Sequence, residues 1–185
     1  MLTSSGRLVM PGSDVAPTLE DVARALGRTV RWRGQPAGVI SVLAHSLTVS
    51  TLIRTPETKV HGLLHDAGEI IADIPTTWKT YADREREAEL LELIYESLEL
   101  DPPTEAQKVE VHRADLMALV AEAYVLGHSD VSMIERQAGI SLSECEDAIA
   151  ITEVNVDFTP ELFQAATAER VFRQAFELLS KGDHA

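Results

Sequence analysis

Apolar residues recur along this chain at three- and four-residue intervals, in blocks separated by short polar breaks, and no segment alternates convincingly with period two. That periodicity predicts amphipathic helices and an all-α fold. Thr18 followed by Asp21 reads as a capping box that opens a helix, with Gly27 as its stop. Residues 29–38 form a polar loop holding Arg31, Trp32, Arg33 and Pro36. Residues 39–54 are helical and mostly apolar, and Pro56 opens a helix expected to run to about residue 72. Residues 73–77 read as a turn, and residues 81–100 as a charged amphipathic helix broken by Pro102 and Pro103. Thr104 starts a long helix ended by Gly127. Two shorter helices are expected near 130–137 and 142–153, and Thr159-Pro160 opens the last, to about residue 180. The first 17 residues, with Gly6, Pro11, Gly12 and Pro17, read as an extended arm. There is no internal repeat, and residues 1–185 read as a single domain.

Composition narrows the function classes. Asp and Glu number 30 against 16 Lys and Arg, for a net charge of −14. So acidic a surface argues against a nucleic-acid polymer as partner, because backbone binding needs many basic contacts. It leaves a nucleotide open, since a bound cation inverts the local field. Cys145 is the only cysteine, which excludes an internal disulfide and a cysteine-based zinc site. No apolar run reaches membrane-spanning length and the N-terminus lacks a signal-peptide pattern. The expectation is a cytoplasmic protein with no membrane partner.

Against this patterning, certain polar groups stand out. His45 lies inside the apolar block 39–53, His65-Asp66 follows Leu63-Leu64, and Asp115 lies in the otherwise apolar run 114–119. Two imidazoles and two carboxylates from three helices are costly to bury together unless a cation compensates them. Alone, His45 would read as a buried histidine satisfied by a backbone carbonyl. The joint spacing instead predicts a divalent-metal site of His45, His65, Asp66 and Asp115. The mixed nitrogen and oxygen set suits Mn, Co, Fe, Ni or Zn, and Mg is also compatible. Glu69 lies one turn beyond His65-Asp66 and Asp73 a further turn on, placed to orient water. His61 and His112 read as surface or supporting residues, the glutamates of 85–99 as a solvated face, and His128 and His184 carry no signal.

A second cluster is Arg24, Arg28, Arg31 and Arg33 around Trp32. Arginines offer donors to phosphate and Trp32 a flat face for a base or sugar. Lys79, just past the 73–77 turn, could reach the same cleft. The set suits a nucleotide.

His45-Ser46, then Leu63-Leu64-His65-Asp66-Ala67-Gly68-Glu69, then Asp73-Ile74-Pro75 with Lys79, then Ala114-Asp115, resemble the HD-domain phosphohydrolases. The likeness extends over residues 18–126 and is nearest the compact branch with bacterial 5′-deoxynucleotidases and phage dATP triphosphohydrolases. It implies an HD-domain helical bundle and a homo-oligomer. It further implies that His45, His65, Asp66 and Asp115 bind the metal, that Glu69 orients water or exchanges a proton, and that Asp73 supports it. Arg31, Lys79 and the Pro75 turn would hold the substrate, and Trp32 would pack on deoxyribose or base. The chain departs from the pattern at Ala44, where relatives often carry Glu before the His-Ser pair.

The function expected from sequence is therefore metal-dependent hydrolysis of a deoxynucleotide. The arginine cluster, together with the resemblance to the phage enzymes, favours dNTP triphosphohydrolase action, with dATP the favoured substrate, releasing deoxynucleoside and triphosphate. A 5′-deoxynucleotidase acting on dNMPs is the alternative, followed by a signalling-nucleotide phosphohydrolase such as one cleaving (p)ppGpp. A helical binding module that keeps the site only as structure is the non-enzymatic rival.

Overall fold

The computed structural model describes residues 1–185 except Pro11, Ser13, Ala72, Asp73, residues 75–77 and 182–185, together with the Ile71 side chain. The protein is all-helical, as the periodicity predicts. Among the described residues there are eight α-helices and no strand, with two isolated β-bridges, Leu2 to Leu8 and Val30 to Ser41. No helix among them is long and apolar enough to cross a membrane.

α1 (Leu19–Arg28) opens at the Thr18/Asp21 capping box. Gly27 does not stop it. The helix runs one residue further, and Gly27 is where it meets the C-terminal helices: a Cβ there would lie 2.7 Å from the Leu162 carbonyl oxygen and 2.9 Å from the Ala168 Cβ. α2 (Val42–Leu52) is buried on nearly every face, which is why its sequence is apolar all round. Its Ser41 N-cap accepts from the Ala44 amide at 3.1 Å. α2 packs on α1, α3, α5 and α7, so it is the post around which the bundle is built.

α3 (Pro56–Leu64) ends earlier than the sequence suggests. The chain turns at His65-Asp66 and resumes as a 3-10 turn, Ala67–Ile71. His65 Nδ1 bonds the Gly62 carbonyl at 2.8 Å, taking one of the acceptors that a helix end leaves open. The chain bends there because the imidazole itself caps the helix. Gly68 then lets the 3-10 turn lie against the backbone of α4 (Tyr81–Ser97), where a side chain would collide with the Glu87 carbonyl.

α5 (Glu105–Val125) begins at a Thr104/Gln107 capping box, and α6 (Val131–Ala138) closes on Gly139 in the left-handed conformation at φ 67°. The element expected at 142–153 is a 3-10 turn, Leu142–Glu144, followed by α7 (Glu146–Leu162). Thr159-Pro160 lies in the last turn of α7 instead of opening the final helix. Proline forfeits one amide there, and the Thr159 hydroxyl bonds the Asn155 carbonyl at 2.9 Å. α8 (Ala165–Ser180) starts after that turn and buries Phe172 in the main core with Leu26, Leu43, Leu63, Ile94 and Leu162.

The N-terminal arm folds back rather than extending. Its first residues pair around Gly6, and Asp21 accepts from Ser4 Oγ at 2.8 Å and from the Ser5 amide at 2.9 Å. Val9 is buried against the core.

Candidate metal centre

Three elements carry the expected ligands to one point. His45, in the first turns of α2, is fully buried. His65 and Asp66 sit on the turn after α3, and Asp115 lies in mid-α5. His45 Nε2 is 3.3 Å from His65 Nε2 and 3.1 Å from Asp115 Oδ1. Ligand atoms of His45, His65 and Asp115 all lie within 4.8 Å of one another. Asp66 closes the fourth side, with Oδ1 3.2 Å from His65 Nε2 and Oδ2 3.8 Å from His45 Nε2.

The protonation pattern is fixed from behind. His65 donates Nδ1–H to the Gly62 carbonyl, and His45 donates Nδ1–H to Glu122 Oε1 at 2.5 Å. In its neutral form each ring would then present an Nε2 lone pair towards the other and towards two carboxylates. Such a meeting of acceptors is repulsive unless a cation or proton sits among them. Two ligands about 2.1 Å from a single ion lie about 3.0–3.4 Å apart at octahedral or tetrahedral angles, which matches the imidazole spacing. A buried Oδ2 of Asp66 has no hydrogen-bond partner, although buried polar atoms are nearly always satisfied. The donor set, the spacing and this orphaned oxygen all fit a divalent ion.

Sequence reasoning missed Glu122. It is fully buried on α5, two turns beyond Asp115 and on the same face. Its second oxygen accepts from Arg31 Nε at 2.9 Å and from Trp32 Nε1 at 3.0 Å. One carboxylate thus ties a metal-facing histidine to the two loop residues expected at the substrate. The available signal was a glutamate at i+7 from Asp115 inside an apolar stretch. Burial drives the Glu122 carboxyl upward, but Arg31 and His45 outweigh that and hold it down at about 2. Burial and Arg31 lower His45, yet Glu122 and Asp115 raise it to about 9. Burial also opposes the charge on Asp115, and His45, His65 and Arg31 hold it well below the usual carboxylate range. The centre is built to hold positive charge.

The Arg31–Gly34 turn carries Trp32 and Arg33 at φ 57° and 52°, a left-handed conformation that costs non-glycine residues energy. Glu122 and the Arg31 amide bond to the Ile40 carbonyl, 3.0 Å, hold it in place. Arg31 Nη1 lies 3.6 Å from Asp66 Oδ2. One face of Trp32 is covered by His128, with ring centroids 4.2 Å apart. Two other arginines of the cluster do not converge on the centre: Arg24 pairs with Glu169 on α8, and Arg28 Nε bonds the Phe163 carbonyl at 3.2 Å.

Glu69 flanks the centre on the Ala67–Ile71 turn, and burial together with the Asp66 charge raises its carboxyl to about 7. Lys79 is buried and bonded to Glu69 and, at 2.8 Å, to Glu87. Glu87 thereby leaves the solvated face of α4, where Glu85, Glu89, Glu92 and Glu96 remain exposed, as does Glu99 just beyond the helix. Asp73 and Pro75 lie outside the described residues, as does His184. His61 is buried rather than on the surface, with Nδ1 2.9 Å from Tyr95 Oη, and burial lowers its basicity. His112 is exposed.

No protein-family model and no curated protein sequence matches the chain.

Proposed function

We propose that this protein is a metal-dependent phosphohydrolase of deoxynucleotides, organised as the HD-domain resemblance implies. The observation that carries the reading is the pair of Nε2 atoms 3.3 Å apart, ringed by Asp66 and Asp115, with Asp66 Oδ2 left without a hydrogen-bond partner. His45, His65, Asp66 and Asp115 would hold a divalent ion, with Mn, Co, Fe, Ni, Zn and Mg all compatible with this donor set. Such an ion supplies Lewis-acid polarisation of a phosphoryl oxygen and acidifies water. Glu69 flanks the centre as the group to orient water and exchange its proton. Arg31, anchored by Glu122 and turned towards Asp66, is the cation placed to meet a phosphate oxygen.

The length of the phosphate chain is a separate question. The triphosphate expected from sequence needs cations for two further phosphoryl groups. Arg24 and Arg28 are directed to the C-terminal elements, and Lys79 is held by two carboxylates. That arrangement favours the 5′-monophosphate as substrate over the dNTP. Product analysis tests both readings. Metal-loaded protein is incubated separately with each dNTP, each dNMP and ATP, and the products are resolved by chromatography. Nucleoside and phosphate from dNMPs support the favoured reading. Nucleoside and triphosphate from a dNTP restore the triphosphohydrolase. No turnover of either removes deoxynucleotides as the substrate class.

A further inference from the structure

A pocket of about 300 Å³ is lined by residues of α3, α4 and α5 and of the turn after α3. His65 and Asp115 form its inner wall, and Leu91, Tyr95 and Val111 form an apolar wall facing them. His61 lies at the edge of that wall, its ring stacked on Tyr95 at 5.6 Å and its Nδ1 engaged by the Tyr95 hydroxyl. Lys108 and His112 also line the cavity, from solvent-exposed positions on α5.

Resting on the phosphohydrolase reading above, we propose that this pocket binds the nucleoside end of the substrate, while Arg31 serves the phosphate end. Three observations favour it over the Trp32 face. The pocket shares His65 and Asp115 with the metal centre, so a ligand within it lies beside the reacting bond. Its lining is mainly apolar with a few hydrogen-bonding groups, and its volume is at the lower end of small-ligand sites. Trp32 offers only one open ring face, since His128 covers the other, and its indole N–H is held by Glu122. A planar base would lie against the Leu91, Tyr95 and Val111 side of the pocket, near His61.

The test separates this proposal from the hydrolase reading by using ligands without phosphate. Isotope-labelled full-length protein is titrated with each of the four deoxynucleosides and followed by NMR. Shifts at the His61 ring and the Tyr95 and Leu91 amides are expected, and Leu91→Trp and His112→Trp should abolish them while leaving Mn2+ affinity within twofold. His112 is exposed, so its variant decides the matter if the Leu91 variant fails to fold. In turnover, both variants should raise KM for the preferred deoxynucleotide at least tenfold with little change in kcat. Shifts centred on the Trp32 indole, or no shifts at millimolar deoxynucleoside, would overturn the pocket assignment while leaving the hydrolase reading standing. An unchanged KM in the His112 variant would also overturn it. Wild-type protein that binds deoxynucleosides here but hydrolyses no deoxynucleotide would keep the pocket and remove the hydrolase.

Discussion

Replacing Glu122 by Gln is the sharpest perturbation of the centre. The carboxylate accepts three N–H groups: His45 Nδ1, Arg31 Nε and Trp32 Nε1. Glutamine has one oxygen and one NH2. If its oxygen keeps Arg31 and Trp32, its NH2 faces His45 Nδ1, which must then lose its proton and accept. The imidazole proton moves to Nε2, the atom that faces His65 and Asp115. The opposite amide orientation sets two donors against the NH2 and is worse. Disturbing a group that orients a metal-binding histidine typically lowers metal affinity about 10–100-fold, or about 1.4–2.7 kcal/mol. Arg31 also loses its nearest charge. Removing one partner of a buried pair costs about 3–5 kcal/mol; Asp66 at 3.6 Å and the retained amide oxygen soften this. About 2–3 kcal/mol is expected for the metal-free protein, roughly 4–12 °C in Tm at this size. Mn2+ titration by electron paramagnetic resonance reads the affinity, thermal unfolding in chelator reads the stability, and 15N shifts of His45 read the tautomer. A variant that binds Mn2+ within twofold of wild type, melts at the same temperature and keeps its proton on Nδ1 would refute the reasoning.

Three further outcomes follow from the same structure. Mn2+ at 100 times its Kd should stabilise the fold by about 2.7 kcal/mol, roughly 5–11 °C in Tm, and Asp115→Ala should cancel the shift; an equal shift in that variant would move the ion elsewhere. Gly68→Ala should cost about 1–3 kcal/mol in urea unfolding by forcing the Ala67–Ile71 turn off the Glu87 carbonyl, and it should lower kcat by displacing Glu69; unchanged stability would show that the turn can yield. Burial opposes the charge on Asp21, but bonds from Ser5, Ser4 and Thr18 hold its carboxyl far below the ordinary 3.8, so its contribution is complete above that value and declines as pH falls beneath it. Asp21→Asn should therefore lose about 2 kcal/mol at pH 7, with a gap that narrows steadily below pH 4; a gap constant from pH 7 to 2.5 would mean the arm is held by something other than the charge.

Local chemistry carried most of the element reading. Caps at Thr18 and Thr104 act within four residues, so the sequence reveals them directly. His45, His65, Asp66 and Asp115 were legible because ionisable groups inside apolar helices have few inexpensive alternatives to sharing a cation. The end of α3 was not legible, because the group that closes it is the same His65 that faces the centre. Nor was the late end of α7, where Pro160 sits in the last turn and costs the helix only one amide.

What the sequence determined by itself was the all-helical pattern, the faces each helix must bury and the ionisable groups set into otherwise apolar runs. The tertiary structure alone decided which partners meet across the bundle. Glu122 joins residues 77 and 91 positions away, Lys79 turns from the expected phosphate to Glu69 and Glu87, and Arg24 and Arg28 turn to the last helices. Helical periodicity specifies the face a residue occupies on its own helix. Which helix packs against that face, and at what rotation, depends on close packing of the whole core, such as α1 settling on Leu162 and Ala168 through Gly27.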